Sequence, residues 1–180
     1  MRGRRRPEVG AIFTKPVRPG DNEGSVPGTL SFDVVRWQHP RSAAILVSGN
    51  WSDAANGAGI PGTTTQTGVA GHGTSSPFDI HNTFLAAGPD VRVSTVATTP
   101  TSNADIAPTI LSLLHAPVPS TMTGRVVSEL RADGPTPARV AVARSVVSVR
   151  TPDGAYQLEA HRSAVGGHVY LDRTEVRRRP

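Results

Sequence analysis

The chain has 180 residues, enough for one domain or a large piece of one, and a hydrophobic share of 37% that leaves its core to Val, Leu, Ile and Ala, because aromatics supply only 4%. It has no cysteine, which excludes disulfides and thiolate metal sites, and no apolar run long enough for a membrane span. The net charge of +5 sits at the ends: Arg2, Arg4, Arg5 and Arg6 open the chain, eight Arg against four acids follow Thr136, and the middle carries seven basic against ten acidic residues. Basic runs at the termini, themselves bare of aromatics, argue for solvated tails rather than a nucleic-acid interface. No apolar segment follows Arg6, so a signal peptide is not expected, and the compartment is left open.

Residues 1–7 read as a disordered basic tail. Residues 9–14 (VGAIFT) form a short apolar run that suits a buried strand. Residues 15–28, with three Pro and three Gly, read as a loop. Residues 29–37 (TLSFDVVRW) fit a strand or a short helix, and 43–48 (AAILVS) read as the clearest core strand. Residues 50–76 are rich in Gly, Thr, Ser and Asn. That is too long for an idle connection. Residues 82–87 (NTFLAA) suggest another buried strand, ended by Gly88 and Pro89.

The best helix begins at Ser102, with Asp105 completing a capping box and Pro108 in the first turn. Ile106, Ile110, Leu113 and Leu114 then fall on one apolar face, and Pro117 and Pro119 stop the helix. Residues 124–130 suggest a last short helix or turn. Residues 138–149 alternate with β-branched side chains, residues 151–154 (TPDG) form a turn, and 156–160 and 168–171 supply strands joined around Gly166 and Gly167. This tail reads as a β-meander. Strands alternating with a helix and followed by a β tail fit an α/β class, but the pieces are too few to close a whole sheet.

The stretch richest in chemistry is residues 71–82 (GHGTSSPFDIHN), running into 84–89 (FLAAGP). Glycines on both sides of His72 expose an imidazole, the commonest nitrogen ligand for zinc. Asp79 and His81 follow seven and nine residues on. They read as shapers of the loop, with ligation the lesser alternative. His39, His115, His161 and His168 show no partner pattern, and Ser75, Ser76 and residues 63–65 (TTT) have no context for a nucleophile.

Taken with residues 103–111 (NADIAPTIL) and 122–125 (MTGR), this stretch resembles the C-terminal section of alkaline phosphatase superfamily hydrolases, across about residues 43–130. The resemblance is nearest the type I phosphodiesterase/nucleotide pyrophosphatase branch, with sulfatases as relatives. It implies part of a three-layer α/β/α sheet over residues 8–135, with 136–180 as a β-hairpin or meander extension. It further implies a parent site with two divalent metals, zinc for preference. One polarises the phosphoryl oxygen and activates a Thr or Ser nucleophile, and the other activates water.

His72 aligns with the last zinc-ligating His of that branch. The nucleophile, the Asp-His-Gly pair and the other ligands of the family have no counterpart in this chain. The resemblance therefore assigns no catalytic residue here, and implies a fragment inactive alone. Its partner would be the missing N-terminal part, and a phosphate-ester small molecule would be the parent's substrate. The alternatives are a non-catalytic remnant or binding module keeping the fold, and a fragment of a sulfoester hydrolase. Asp105 reads as structural, with metal ligation the rival. Arg125 is expected to reach a carboxylate or a loop carbonyl ahead of a substrate phosphate.

Overall fold

A computed structural model describes residues 6–65 and 73–179. The chain is of the mixed α/β class, with two three-stranded sheets and short helices among the described residues. No helix there is long and apolar enough to cross a membrane. The contacts divide the chain into two compact units. The first comprises residues 1–82, 145–162 and 171–180, and the second residues 83–144 and 163–170.

In the first unit β1 (Val9–Thr14) is the central strand of its sheet. It pairs in parallel with β2 (Leu30–Ser31), Phe13 opposite Leu30, and antiparallel with β3 (Ile45–Gly49), Phe13 opposite Leu46. The β1–β3 register slips between Val9 and Ile12. Gly10 lies in that slip. A Cβ built there would sit 2.5 Å from the Gly49 carbonyl oxygen, so only glycine fits.

Residues 29–37, which suit either a strand or a helix, supply both in turn. After β2 the chain enters a 3-10 turn at Phe32–Val35, where the Ser31 hydroxyl accepts from the Asp33 amide. Arg36, at φ 56°, ends it in the left-handed region.

The expectation for residues 43–48 holds as a strand and only in part as core, since Leu46 packs against the buried cluster and Ser48 is buried. Ile45 and Val47 are 54% and 53% exposed, because they share the face of this edge strand that turns away from Leu46 and Ser48. Apolar composition identifies a strand but not its position in a sheet. Residues 82–87 form no strand at all. Phe84 and Leu85 lie exposed in irregular chain, and neither pairs with another segment.

The second sheet runs in chain order through β4 (Ala143–Arg150), β5 (Tyr156–Val165) and β6 (His168–Arg178). The turn after β4 closes through Gly154 N–H to the Thr151 carbonyl at 2.8 Å. The Asp153 carboxylate accepts from the Thr151 hydroxyl and the Ala155 amide. Gly166 and Gly167, both at positive φ, reverse the chain in two residues, which suits the twist of an antiparallel hairpin. Along β5, Leu158 and Ala160 turn inward while Glu159 and His161 take the alternate face. The core of the first unit joins Ala11, Phe13, Leu30, Phe32 and Val34 to Val147, Val149, Leu158 and Ala160.

In the second unit the helix starts as its capping box directs. Ser102 N–H donates to the Asp105 carboxylate at 2.9 Å, the Ser102 hydroxyl accepts in return, and a 3-10 turn (Asn103–Asp105) leads in. A short helical turn in the first unit, α1 (Pro77–Ile80), precedes it in sequence, so this helix is α2 (Ile106–Leu113). Its orientation is the main correction to the sequence reading. Ile106, Ile110 and Leu114 are 39%, 49% and 70% exposed, whereas Asp105, Pro108 and Thr109 are buried. Hydrogen bonds made by the polar side outweigh the apolar stripe within this unit. Residues 124–130 hold a 3-10 turn at Ser128–Leu130, and another precedes β4 at Pro137–Arg139.

Burial separates two classes of substitution. Phe32→Ala in the sealed core of the first unit is expected to cost about 3–5 kcal/mol, while Ile110→Ala on the exposed face of α2 stays within about 1 kcal/mol. Urea unfolding of the two variants measures the difference. A cost for Ile110→Ala near that of Phe32→Ala would contradict the orientation of α2.

Candidate functional site

His72 and Gly71 lie outside the described residues, so the metal-ligand assignment from the sequence has no structural counterpart to set beside it. The segment that follows is well defined. The Thr74 hydroxyl donates to the Asp79 carboxylate, and Ser76 caps α1 by accepting from the Phe78 amide at 3.2 Å. The Ser75 hydroxyl and amide both reach the Ser48 hydroxyl at 2.9 Å, and the Ser75 hydroxyl also pairs with that of Thr174. The partners of Ser75 and Ser76 are thus hydroxyls and backbone groups, which is a packing arrangement and not an activated nucleophile. Asp79 shapes the loop, and His81 ends α1 with an exposed side chain.

The sequence motifs of the second unit converge on a buried polar network. Arg125, 7% exposed, grips Glu129 through two parallel bonds of 2.8 and 2.6 Å. Its Nη2 also donates to the Pro100 carbonyl at 3.0 Å, and its Nε to the Tyr170 hydroxyl at 3.0 Å. Tyr170 donates onward to Asp105 Oδ2 at 2.9 Å, and Asp105 Oδ1 accepts from the Arg125 amide at 2.8 Å. The Thr99 hydroxyl donates to Glu129 Oε1 at 2.6 Å.

The Thr109 hydroxyl ties the helix in twice, donating to the Asp105 carbonyl and accepting from the Val127 amide. Gly124 passes so close to the Ala104 carbonyl oxygen that a Cβ would lie 2.0 Å from it. The carboxylate and the carbonyl expected for Arg125 are both present. With its donors engaged, the guanidinium has nothing left for a phosphate. Both oxygens of Asp105 are likewise committed to the protein.

Electrostatics follow from this packing. Burial alone would favour the neutral Glu129, but the Arg125 and Thr99 bonds outweigh it and hold the carboxyl at about 2. Burial also works against the charge of Arg125, and the contact with Glu129 reverses that, raising its pKa. Burial, reinforced by the bond to Asp105, pushes the Tyr170 hydroxyl up to about 12.

A second cluster was not visible in the sequence. Glu159 and His161 on β5 meet Glu175 on β6, with His161 Nε2 at 3.8 Å from Glu159 Oε2 and 3.4 Å from Glu175 Oε1. Among the described residues this is the group of His and acidic side chains placed to hold a metal ion. The alternation Glu-x-His along one strand was readable. Its partner fourteen residues away is set by strand pairing, which spacing alone does not reveal.

No protein-family model, no curated protein and no solved structure matches the chain.

The pair Arg125–Glu129 makes the second unit acid-sensitive. Because the folded pKa of Glu129 is about 2 against 4.5 unperturbed, its contribution is present above pH 4.5 and is lost as pH falls toward 2. The amount is on the order of 3 kcal/mol. Tyr170 acts on the opposite flank. Its raised pKa gives stability that is present below pH 10 and is lost as pH rises toward 12. Glu129→Gln is expected to flatten the acid limb and to cost about 3–5 kcal/mol at neutral pH by stranding Arg125. Thermal unfolding followed by near-ultraviolet dichroism between pH 2 and 7 checks both effects. An acid limb unchanged in the variant would contradict the assignment.

Proposed function

We propose that this chain is the C-terminal portion of a metal-dependent phosphoester hydrolase of the alkaline phosphatase superfamily, on its phosphodiesterase/nucleotide pyrophosphatase side. In this reading it completes a catalytic domain and is inactive alone. Its fold is then part of a three-layer α/β/α sheet, with β4, β5 and β6 as the C-terminal meander.

The observation that carries the reading is the arrangement of α2. Asp105, Thr109, Gly124 and Arg125, all drawn from the motifs that suggested the superfamily, lock to one another in the interior. The same helix turns Ile106, Ile110 and Leu114 outward. A helix with a bonded polar side and an apolar side at i, i+4 and i+8 suits an outer helical layer, its apolar side resting on a sheet that the described residues do not provide.

The described residues do not by themselves fit a two-metal centre. Asp79 is held by Thr74, Asp105 by Ser102, Arg125 and Tyr170, and His81 ends α1 in solvent. No catalytic step is therefore assigned to these side chains. His72 is the one ligand this chain is proposed to give that centre, and the nucleophile, the second metal's ligands and the phosphate contacts fall to the missing portion.

The chain alone, supplied with zinc, is expected to give no turnover of bis-p-nitrophenyl phosphate. Joined to the polypeptide encoded upstream, it is expected to hydrolyse the diester in a zinc-dependent manner, with activity falling at least a hundredfold on His72→Ala. An upstream sequence without a Thr or Ser nucleophile and an Asp-His-Gly element would overturn the proposal. Turnover by the joined protein that survives His72→Ala would do so as well.

A further inference from the structure

The outer face of the β5–β6 hairpin carries Glu159, His161 and Glu175, and their ligand atoms all lie within 4.8 Å of one another. Protein ligands bound to zinc at about 2.0–2.1 Å in a tetrahedral shell stand roughly 3.4 Å apart. The His161 to glutamate separations of 3.4 and 3.8 Å are of that size. His161 Nε2 is shut off from solvent and has no hydrogen-bond partner, although two carboxylates stand beside it. The carboxylate oxygens stand 3.4 and 3.8 Å from a ring nitrogen to which neither is hydrogen-bonded. An unpaired buried nitrogen is costly, and a cation between the three groups removes that cost.

We propose that Glu159, His161 and Glu175 bind one divalent transition-metal ion, zinc in the first instance, through His161 Nε2 and one oxygen of each glutamate. Three protein ligands leave a fourth position for water, and the partial exposure of all three side chains gives the ion a way in. The site rests on none of the motifs that suggest a hydrolase and does not involve His72.

Two arginines oppose the ion. Arg173 Nε donates to Glu175 Oε1 at 2.8 Å, and Arg177 stands 3.8 Å from Glu159 Oε2. The two guanidinium groups already balance the two carboxylates. A hard cation such as magnesium, which prefers an all-oxygen shell, gains little here, whereas zinc gains the imidazole. Arg173 and Arg177 are 36% and 67% exposed, so both can swing into water when the ion enters.

Calorimetric titration of the untagged chain with zinc chloride at pH 7.5 tests the site. The expected result is one zinc ion bound, with affinity reduced at least about tenfold by His161→Ala and by Glu175→Gln. Arg173→Gln is expected to tighten binding by removing the competing cation. Exposed His115→Ala leaves it unchanged, and magnesium gives no heat. Long-range proton–nitrogen spectra provide a readout that needs no variant: zinc moves the Nε2 resonance of His161. Zinc affinity unaffected by either ligand substitution, or a His161 ring that responds to protons but not to zinc, would overturn the proposal.

Discussion

Arg125 and Glu129 hold the second unit to its shape. A buried ion pair is a costly device, because each charge gives up its water, and it survives where every donor and acceptor finds a partner. Arg125 meets that condition. Its five N–H groups have Glu129 Oε1 and Oε2, the Tyr170 hydroxyl and the carbonyls of Pro100 and Val126 as acceptors. Those acceptors come from three separate stretches of chain, at Pro100, Val126 to Glu129 and Tyr170, so one side chain fixes their mutual placement. The unit has little else to use. Its buried apolar side chains among the described residues are Val91, Pro108, Val127, Val165 and the ring of Tyr170. The first unit is built the other way, with Phe13, Leu30, Phe32 and Leu158 sealed in a continuous apolar core.

How far each unit was legible follows from that contrast. Strand β1, the turn at Gly154, the hairpin at Gly166 and Gly167 and the capping box at Ser102 are local devices, and each was readable because the residues that make it are neighbours in sequence. What misled was apolar composition taken as a sign of burial. Residues 43–48 and 82–87 have similar content, yet the first became an exposed edge strand and the second irregular chain. The face of α2 misled for the same reason. An apolar stripe shows which side of a helix prefers to be covered, not whether the same chain supplies the cover. Arg125 was legible in kind but not in full partnership, since Glu129 lies four residues on while Tyr170 lies 45 residues on.

The outer face of the second sheet shows how pairing makes chemistry that spacing conceals. Glu159 and His161 share a face because strands alternate, and β6 then delivers Glu175, Arg173 and Arg177 to the same neighbourhood. The charges are arranged in opposition, acids of one strand meeting a base of the other. The Glu175 carboxyl is lowered first by its bond to Arg173 and then, against some burial, by His161 and Arg177. Such a face is stable as a lattice of weak ion pairs, each worth little at the surface. The departure from that pattern is His161 Nε2, which is buried and unbonded where every neighbouring charge has a partner.

The exposed face of α2 is a consequence of the network rather than a separate feature. Asp105 and Thr109 stand four residues apart and so share one side of the helix with Pro108, while Ile106, Ile110 and Leu114 share another. Turning the helix to bury its isoleucines would withdraw Asp105 from Ser102, Arg125 and Tyr170, and Thr109 from Val127. Each abandoned group would then be buried without a partner, at roughly 1–3 kcal/mol apiece. The apolar gain available to two half-exposed isoleucines and one leucine is on the order of a few kcal/mol in all. The polar side therefore wins, and α2 cannot rotate to satisfy its own apolar stripe. Whatever covers Ile106, Ile110 and Leu114 has to come to the helix where it already lies.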